Sequence, residues 1–168
     1  MLILLIRHPA VLVAPGTCYG RLDVALHPDA AAEAARLRAL IAASPGPVWT
    51  SPARRCRDLA GAGAIIDPRL RELDFGAWEG LAWDDVPRDA LDRWAASPRD
   101  FAPPGGESGA ALLARVGAFC AELRAGGADG VVVSHGGPLK LLAALLHGTA
   151  PDLLAPAPAL GSVSRIAC

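Results

Sequence analysis

Two short apolar segments of the chain each end beside a histidine. Leu2–Ile6 is followed by Arg7 and His8, and Val131–Val133 is followed, one residue later, by His135. Continuous apolar runs of this length are typical of strands that are buried on both faces of a sheet. Because ligands in open α/β sheets gather at the carboxyl ends of the strands, these polar side chains are expected to meet at one site.

Five residues have the chemistry of an anion site, and they are Arg7, His8, Arg55, Glu72 and His135. The planar guanidinium fork matches phosphate oxygens and stays charged at any relevant pH. A neutral imidazole beside such cations can attack phosphorus, and a carboxylic acid on the opposite side can protonate the leaving oxygen. A helix that begins at Gly136 would direct free backbone N–H groups at the same anion. The set therefore predicts an α/β enzyme that binds phosphate.

Each of these residues also has an ordinary structural explanation. Arg7 could be a solvated surface charge, His8 a core or capping histidine, and His135 a partner for a backbone carbonyl. Arg55 shares its short helix with arginines at positions 54 and 57, and most arginines there should be solvated. Four more carboxylates compete with Glu72 as the acid, and they are Asp74, Glu79, Asp84 and Asp85. The residue types alone leave these alternatives open, as they do a metallohydrolase built on the two histidines.

The segments between these residues alternate between helix and strand. In chain order we predict a loop over 11–26, a helix over 27–43, a strand over 48–50, a helix from a Ser51-Pro52 cap to residue 60, and a strand over 64–66. Later elements are a helix over 108–124, a strand over 131–133, a helix over 138–147 and a strand over 162–167. This alternation implies an α/β fold, a three-layer α/β/α sandwich whose central sheet is mostly parallel with helices on both faces.

Residues 73–105 interrupt the alternation. The segment has no clean hydrophobic period, contains Trp78, Trp83 and Trp94, and is broken by several prolines. We expect one or two short helices in this stretch, lying over the sheet edge as a small cap, and we refer to residues 73–105 as the cap segment. Because there is no repeat and no long linker, residues 1–168 are predicted to form a single domain.

Composition and charge exclude several classes of protein. The 168 residues have a formal net charge of −1, which gives no reason to expect nucleic acid or an anionic membrane as a partner. The apolar run Leu2–Ile6 is too short for a signal segment or a membrane span. The four cysteines suit neither a zinc site nor a disulfide framework. We therefore expect a soluble cytoplasmic protein, a monomer or homodimer, with no metal site.

Five motifs resemble those of the histidine phosphatase superfamily. Arg7-His8-Pro9 resembles the family's opening Arg-His-Gly, and Tyr19–Leu26 resembles its second loop element. Ser51–Arg55 resembles Ser-Pro-Leu-x-Arg, which places the family arginine on Arg55. Leu70–Gly80 is similar to Leu-Arg-Glu-x-x-x-Gly-x-x-Glu-Gly, and Ser134–Gly137 is similar to Ser-His-Gly-Gly. The motifs occur in the family's order, so together they are far more specific than any one of them.

The resemblance implies a reaction and assigns the roles of the site residues. His8 would attack the phosphoryl group of a small-molecule phosphomonoester and become phosphohistidine. Glu72 would protonate the leaving alkoxide and then activate water. The implied phosphate- and substrate-binding residues are Arg7, Arg55, His135, Gly136, Tyr19, Gly20 and Arg21. No metal or other cofactor is implied. Since His8 must be neutral to attack, activity is expected to fall at low pH as the imidazole takes a proton.

Within the family, the motifs at Cys18–Arg21, Leu70–Gly80 and Pro104–Ser108 look most like those of alpha-ribazole phosphatases. This resemblance implies alpha-ribazole 5′-phosphate, an intermediate of cobalamin biosynthesis, as the substrate. Two alternatives are a broad-specificity or mutase-like enzyme for sugar phosphates and a non-catalytic phosphate-binding module. The last is motivated by two departures from the family pattern. Pro9 replaces a glycine and has no N–H for a phosphate, and Val11 stands where a threonine is common.

Overall fold

A computed structural model describes residues 1–168 of the protein and contains one five-stranded sheet. Its strands are β1 (Leu2–Arg7), β2 (Val48–Thr50), β3 (Ile65–Ile66), β4 (Gly130–Ser134) and β5 (Val163–Ala167). They lie in the order β3-β2-β4-β1-β5, and only β5 runs antiparallel to its neighbour. The predicted mostly parallel sheet is confirmed.

Five α-helices accompany the sheet. They are α1 (Ala31–Ala43), α2 (Arg54–Ala60), α3 (Arg88–Ala96), α4 (Gly109–Gly126) and α5 (Gly136–Leu146). Alternating residues of β1 point to opposite faces, as the pleat of a strand requires. Leu4 and Ile6 belong to a core cluster with residues of α1 and α2, whereas Ile3 and Leu5 belong to a cluster with residues of α4 and α5. This arrangement confirms the three-layer α/β/α sandwich with helices on both faces.

Three predicted helix starts differ from the structure. The helix expected from residue 27 opens with a 3-10 turn, Pro28–Ala30, before α1. Ser51 does not cap α2, because the N-cap is Ala53 and the Ser51 hydroxyl lies 2.7 Å from His135 Nε2. Helix α5 begins at Gly136, as the anion-site argument required, and not at residue 138, since His135 is already its extended N-cap residue. The helix therefore starts immediately after the second histidine.

The cap segment contains α3 and two of the molecule's 3-10 turns, Gly76–Trp78 and Trp83–Asp85. Its tryptophans pack on one another, and the Trp83 and Trp94 rings stack with their centroids 6.1 Å apart. Backbone hydrogen bonds join the segment to the loop over 11–26, where Cys18 N–H donates to the Leu81 carbonyl at 2.8 Å. The cap segment thus holds the loop that the sequence placed near the site. No helix is both long enough and apolar enough to cross a membrane.

Candidate active site

The pairing of β1 with β4 brings the two histidines together. Arg7 lies opposite Ser134 in the parallel register, so His8 and His135 follow adjacent strands at the same edge of the sheet. Their ring centroids are 5.2 Å apart with an interplanar angle of 69°, and each residue is 1% exposed. The structure therefore brings together the pair that the sequence pattern had singled out.

The orientation of His8 leaves one ring nitrogen available for chemistry. Nδ1 lies 2.7 Å from the carbonyl oxygen of Pro9, which can only accept a hydrogen bond, so Nδ1 must carry the proton. The lone pair then lies on Nε2, where the Nε–H of Arg55 donates to it at 3.3 Å. Pro9 lacks an N–H, but it supplies the carbonyl that fixes the imidazole tautomer.

Both imidazoles are held neutral by their surroundings. The pKa of His8 is lowered to about 3, chiefly by burial; the positive charges of Arg55 and Arg7 also lower it, and the hydrogen bond to Pro9 opposes them. Burial also places the pKa of His135 well below the usual value, and Arg55 lowers it further. Protonation of His8 is therefore moved well below the ordinary pKa of a histidine, about 6.5. We expect any loss of activity from this proton at a correspondingly low pH.

The low pKa of His8 also predicts a pH-dependent stability. Between pH about 3 and 6.5 the unfolded chain binds a proton at this position that the folded protein does not, so the free energy of unfolding falls as pH decreases. One such histidine contributes at most about 1.4 kcal/mol per pH unit. Urea unfolding of His8→Asn between pH 6.5 and 5 should show a shallower dependence than the wild type. Equal slopes would contradict the buried neutral state, and His27→Asn, at a partly exposed histidine, serves as the control.

Arg55 is buried beside the histidines, and Arg7 is half-buried there. Arg55 is 0% exposed, and its Nη1 and Nη2 donate to the carbonyls of Leu22 at 2.8 Å and Gly20 at 2.7 Å. Arg7 donates from Nη1 to the Pro158 carbonyl, but its Nε is buried without a hydrogen-bond partner. An unsatisfied buried donor is rare and costly, and here it belongs to a cation beside the two imidazoles. This donor fits an anion site.

The loop residues predicted to bind substrate lie around Arg55 and Glu72. The Tyr19 ring lies 5.5 Å from the Arg55 guanidinium carbon, and Gly20 packs against the Leu73 carbonyl so closely that a Cβ would overlap it. Arg21 donates from Nε to the Glu72 carbonyl at 3.0 Å. Tyr19 and Gly20 therefore shape the surroundings of Arg55, whereas Arg21 holds the backbone that carries the acid.

Glu72 is fixed at the N-terminus of α5. The N–H of Gly137 lies 3.1 and 3.2 Å from its two carboxylate oxygens, and the N–H of Leu73 lies 3.0 Å from Oε1. These contacts hold the Glu72 carboxyl group in one position beside the start of α5. Gly136, at the preceding position, lies beside the Arg7 guanidinium, since a Cβ on Gly136 would be 3.2 Å from Arg7 Cζ.

The competing carboxylates have other partners. Glu79 accepts hydrogen bonds from the backbone N–H groups of Arg21 and Leu22, so it organises the loop. Asp74 accepts from Gly76 N–H within its own turn. Asp84 and Asp85 are exposed on the cap segment. Of the five carboxylates considered, Glu72 alone lines the cavity at the site.

A cavity of about 190 Å³ opens beside these groups. Its lining residues are Gly20, Arg21, Asp23, Ser51, Pro52, Ala53, Arg71, Glu72 and His135. A second cavity of about 160 Å³, with Phe75 and Trp94 in its wall, also reaches Glu72. The first cavity places the His135 imidazole, two carboxyl groups (Asp23 and Glu72) and two guanidiniums (Arg21 and Arg71) around one polar space. That arrangement can bind a phosphoryl group and protonate a leaving oxygen.

Sequence reasoning missed two supporting residues. The hydroxyl of Ser51 lies 2.7 Å from His135 Nε2, although Ser51 had been interpreted only as a helix cap. Arg115 on α4 donates to the carbonyl of Glu72 at 3.0 Å and to the Glu107 carboxylate at 2.7 and 2.8 Å. The motif Ser51-Pro52 could have indicated the first. Nothing in the sequence indicated Arg115, because it lies 43 positions from Glu72 on a helix of ordinary pattern.

The contact between Gly137 and Glu72 predicts a selective defect. A Cβ on Gly137 would overlap Glu72 Oε1, whereas its backbone has no positive φ that would exclude alanine. Gly137→Ala should displace the carboxylate and lower kcat by about tenfold or more, while thermal stability stays within about 1 kcal/mol of wild type. The matched control is Gly117→Ala on α4, which has open space and should leave kcat unchanged. Equal kcat values in both variants would show that the Glu72 position is unimportant.

Comparison with known proteins adds an independent observation. The family model of the histidine phosphatase superfamily (branch 1) matches residues 3–168. A putative phosphoserine phosphatase 2 of Hydrogenobacter thermophilus is 30% identical over 145 residues, covering 79% of this chain and 71% of that protein. A glucosyl-3-phosphoglycerate phosphatase of Mycobacterium tuberculosis is 36% identical over 118 residues, covering 59% of this chain and 53% of that protein. The chain thus spans about half of the length of this second relative.

Solved structures show the same similarity. The crystal structure of the alpha-ribazole phosphatase from Shigella flexneri superposes with a TM-score of 0.87 at 27% identity, covering 98% of this chain and 89% of that one. The fold, the two histidines at neighbouring strand ends and the family model agree. The chain therefore belongs to the histidine phosphatase superfamily, branch 1, and is a phosphatase.

Proposed function

We propose that this protein hydrolyses small phosphomonoesters in two steps through a phosphohistidine on His8. The observation that carries the proposal is the state of the His8 ring, which is buried and neutral and has its Nδ1 proton committed to the Pro9 carbonyl. Its Nε2 carries the lone pair and lies beside the Arg55 guanidinium, and the Glu72 carboxyl group is fixed at the N-terminus of the helix that follows His135. A neutral, oriented imidazole is what attack on phosphorus requires.

In the first step, Nε2 attacks phosphorus, so a P–N bond forms while the bond to the leaving oxygen breaks. The Glu72 carboxyl gives its proton to that oxygen. Arg7, Arg55 and His135 stabilise the charge on the phosphoryl oxygens, with the N–H of Gly136 at the start of α5. The buried, unpartnered Nε–H of Arg7 is a donor already in place for this charge.

In the second step, Glu72 takes a proton from water, and the water oxygen attacks phosphorus. The P–N bond breaks, phosphate leaves, and His8 and protonated Glu72 are regenerated. The positive charge at the reacting group comes from arginine side chains in this scheme, so no metal takes part and hydrolysis is expected to proceed in the presence of a chelator. The same carboxyl group therefore serves as acid and then as base.

Alpha-ribazole 5′-phosphate is the substrate that we propose first. The supporting observations are the motifs shared with alpha-ribazole phosphatases and the likeness to the Shigella flexneri structure. A substrate with a carboxylate in its leaving group is the second candidate, because two curated relatives are named for phosphoserine and glucosyl-3-phosphoglycerate. We further propose a single domain over residues 1–168 that acts in the cytoplasm as a monomer or homodimer, where its three buried cysteines would stay reduced.

A phosphate-release assay in the presence of a chelator tests the proposal. It compares alpha-ribazole 5′-phosphate, 3-phosphoglycerate and p-nitrophenyl phosphate by kcat/KM. A clear preference for the first substrate supports its place in cobalamin biosynthesis. Equal, slow turnover of all three substrates would support phosphatase activity but contradict the proposed role in cobalamin biosynthesis. Phosphate binding without turnover of any of them would instead support a binding module.

A further inference from the structure

Arg71 differs from every other arginine that reaches the active-site cavity or the cleft beside it. It immediately precedes Glu72, is exposed and lines the 190 Å³ cavity. Arg21 is paired with Glu107 at 3.4 Å, and Arg115 is paired with the same carboxylate at 2.7 Å. The Arg71 guanidinium has no ion pair and no hydrogen bond. It is the free positive charge at the edge of the site.

The backbone under Arg71 is held firmly although its side chain is free. Arg115 Nη1 donates to the Arg71 carbonyl at 2.6 Å, and the Arg71 N–H donates to the Pro68 carbonyl at 3.3 Å. The adjoining open cleft is lined by Arg21, Pro68, Arg69, Arg71 and Arg115. In that cleft Arg69 is paired with Asp67 and Glu122. The other three arginines of the cleft are therefore matched by carboxylates, and Arg71 is the one positive charge there without an anionic partner.

The cavity itself is better suited to a charged group than to an apolar one. Most of its lining residues are polar or charged, and the carboxylate of Asp23 already accepts the N–H of Arg54 at 2.7 Å. In the proposed reaction the leaving oxygen lies at Glu72, so the next atoms of the leaving group come within reach of Arg71. Arginine matches the planar geometry of a carboxylate with two parallel hydrogen bonds.

We propose that Arg71 is a specificity-determining residue that binds a carboxylate on the leaving group of the substrate. This inference rests on the proposed hydrolysis through His8, and it favours the second substrate candidate, a leaving group with a carboxylate, over alpha-ribazole 5′-phosphate. The contact is partly exposed, so its effect on kcat/KM is expected to be about tenfold rather than several thousandfold. A leaving group without a carboxylate would not use Arg71.

Two matched pairs of substrates isolate the carboxylate. L-phosphoserine and phosphoethanolamine differ only by that group, and 3-phosphoglycerate differs from glycerol 3-phosphate by a carboxylate in place of a hydroxymethyl group. The wild type should prefer the carboxylate member of each pair by about tenfold in kcat/KM. In Arg71→Gln the KM of the carboxylate members should rise until the preference is close to one. The kcat/KM of the members without a carboxylate should change by less than about twofold. Compounds that are not turned over are compared as competitive inhibitors of p-nitrophenyl phosphate hydrolysis.

The control is Arg57→Gln, which removes another exposed, unpaired arginine that lines a separate surface cleft and not this cavity. It should leave every ratio unchanged. The inference is overturned when p-nitrophenyl phosphate is hydrolysed but Arg71→Gln has the same carboxylate preference as wild type, or when wild type has no preference. The proposed function itself fails when wild type hydrolyses none of the phosphomonoesters, so the two failures are distinguishable.

Discussion

His8→Asn is expected to abolish phosphate release, with kcat lowered by about 10⁴-fold or more, because the variant has no group that can form the covalent intermediate. No neighbouring side chain can replace the imidazole. His135 Nε2 lies 2.7 Å from the Ser51 hydroxyl, and burial raises the pKa of the Cys56 thiol to about 12, which leaves it protonated. The measurement is steady-state phosphate release from p-nitrophenyl phosphate and from an alkyl phosphate.

A matched histidine separates chemistry from folding in this test. His27 caps the 3-10 turn Pro28–Ala30 by accepting the N–H of Asp29 at 3.2 Å, and asparagine is also a good capping residue. His27→Asn should therefore keep kcat within about twofold of wild type. If His8→Asn folds normally and retains a tenth or more of the wild-type kcat, His8 is not the nucleophile.

Glu72→Gln is expected to lower kcat for alkyl phosphates by about 10²- to 10⁴-fold, because it removes both proton transfers. The amide oxygen can still accept the N–H of Gly137, so the side chain should stay in place. With p-nitrophenyl phosphate the leaving group needs no proton, and formation of the intermediate should survive. Stopped-flow absorbance should then show a rapid burst of p-nitrophenolate followed by a slow steady state.

The control for Glu72→Gln is Asp84→Asn, which neutralises an exposed carboxylate of the cap segment. It should change neither the burst nor the steady state by more than about twofold. A Glu72→Gln variant that loses the burst and the steady state equally with p-nitrophenyl phosphate would show that Glu72 is needed for phosphorylation in some other way than as an acid. If Glu72→Gln keeps the wild-type kcat with both kinds of substrate, another group must supply the proton to the leaving oxygen.

The sheet and the positions of the two histidines were predictable because a strand buried on both faces is a short, continuous apolar run in the sequence. The apolar runs of β1 and β4 end at the residues that the structure places side by side in register. The start of α5 at Gly136 was not predicted by hydrophobic periodicity, because Gly136 and Gly137 are poor helix formers. The structure shows why these positions are glycines. A Cβ on Gly136 would crowd Arg7, and a Cβ on Gly137 would overlap Glu72.

The support of the acid was the least predictable part of the site. One connected group of side chains holds the Glu72 carbonyl, formed by Arg21, Glu107 and Arg115. They come from the loop over 11–26, the turn before α4 and α4 itself. No local pattern links such distant positions. Charge counting also could not separate Arg71 from its paired neighbours, since pairing depends on side-chain geometry. The choice of Glu72 among the competing carboxylates also depended on side-chain geometry, because only the contacts of each carboxylate show which one lies at the site.

Trapping the covalent intermediate tests the central claim most directly. Glu72→Gln is mixed with p-nitrophenyl phosphate, quenched in alkali, where phosphohistidine is stable, and digested for mass spectrometry. We expect one phosphoryl group on the peptide that contains His8, accumulating with the p-nitrophenolate burst and absent from a protein that also has His8→Asn. A burst without phosphoryl transfer to His8, or with the phosphoryl group on another residue, would contradict the mechanism.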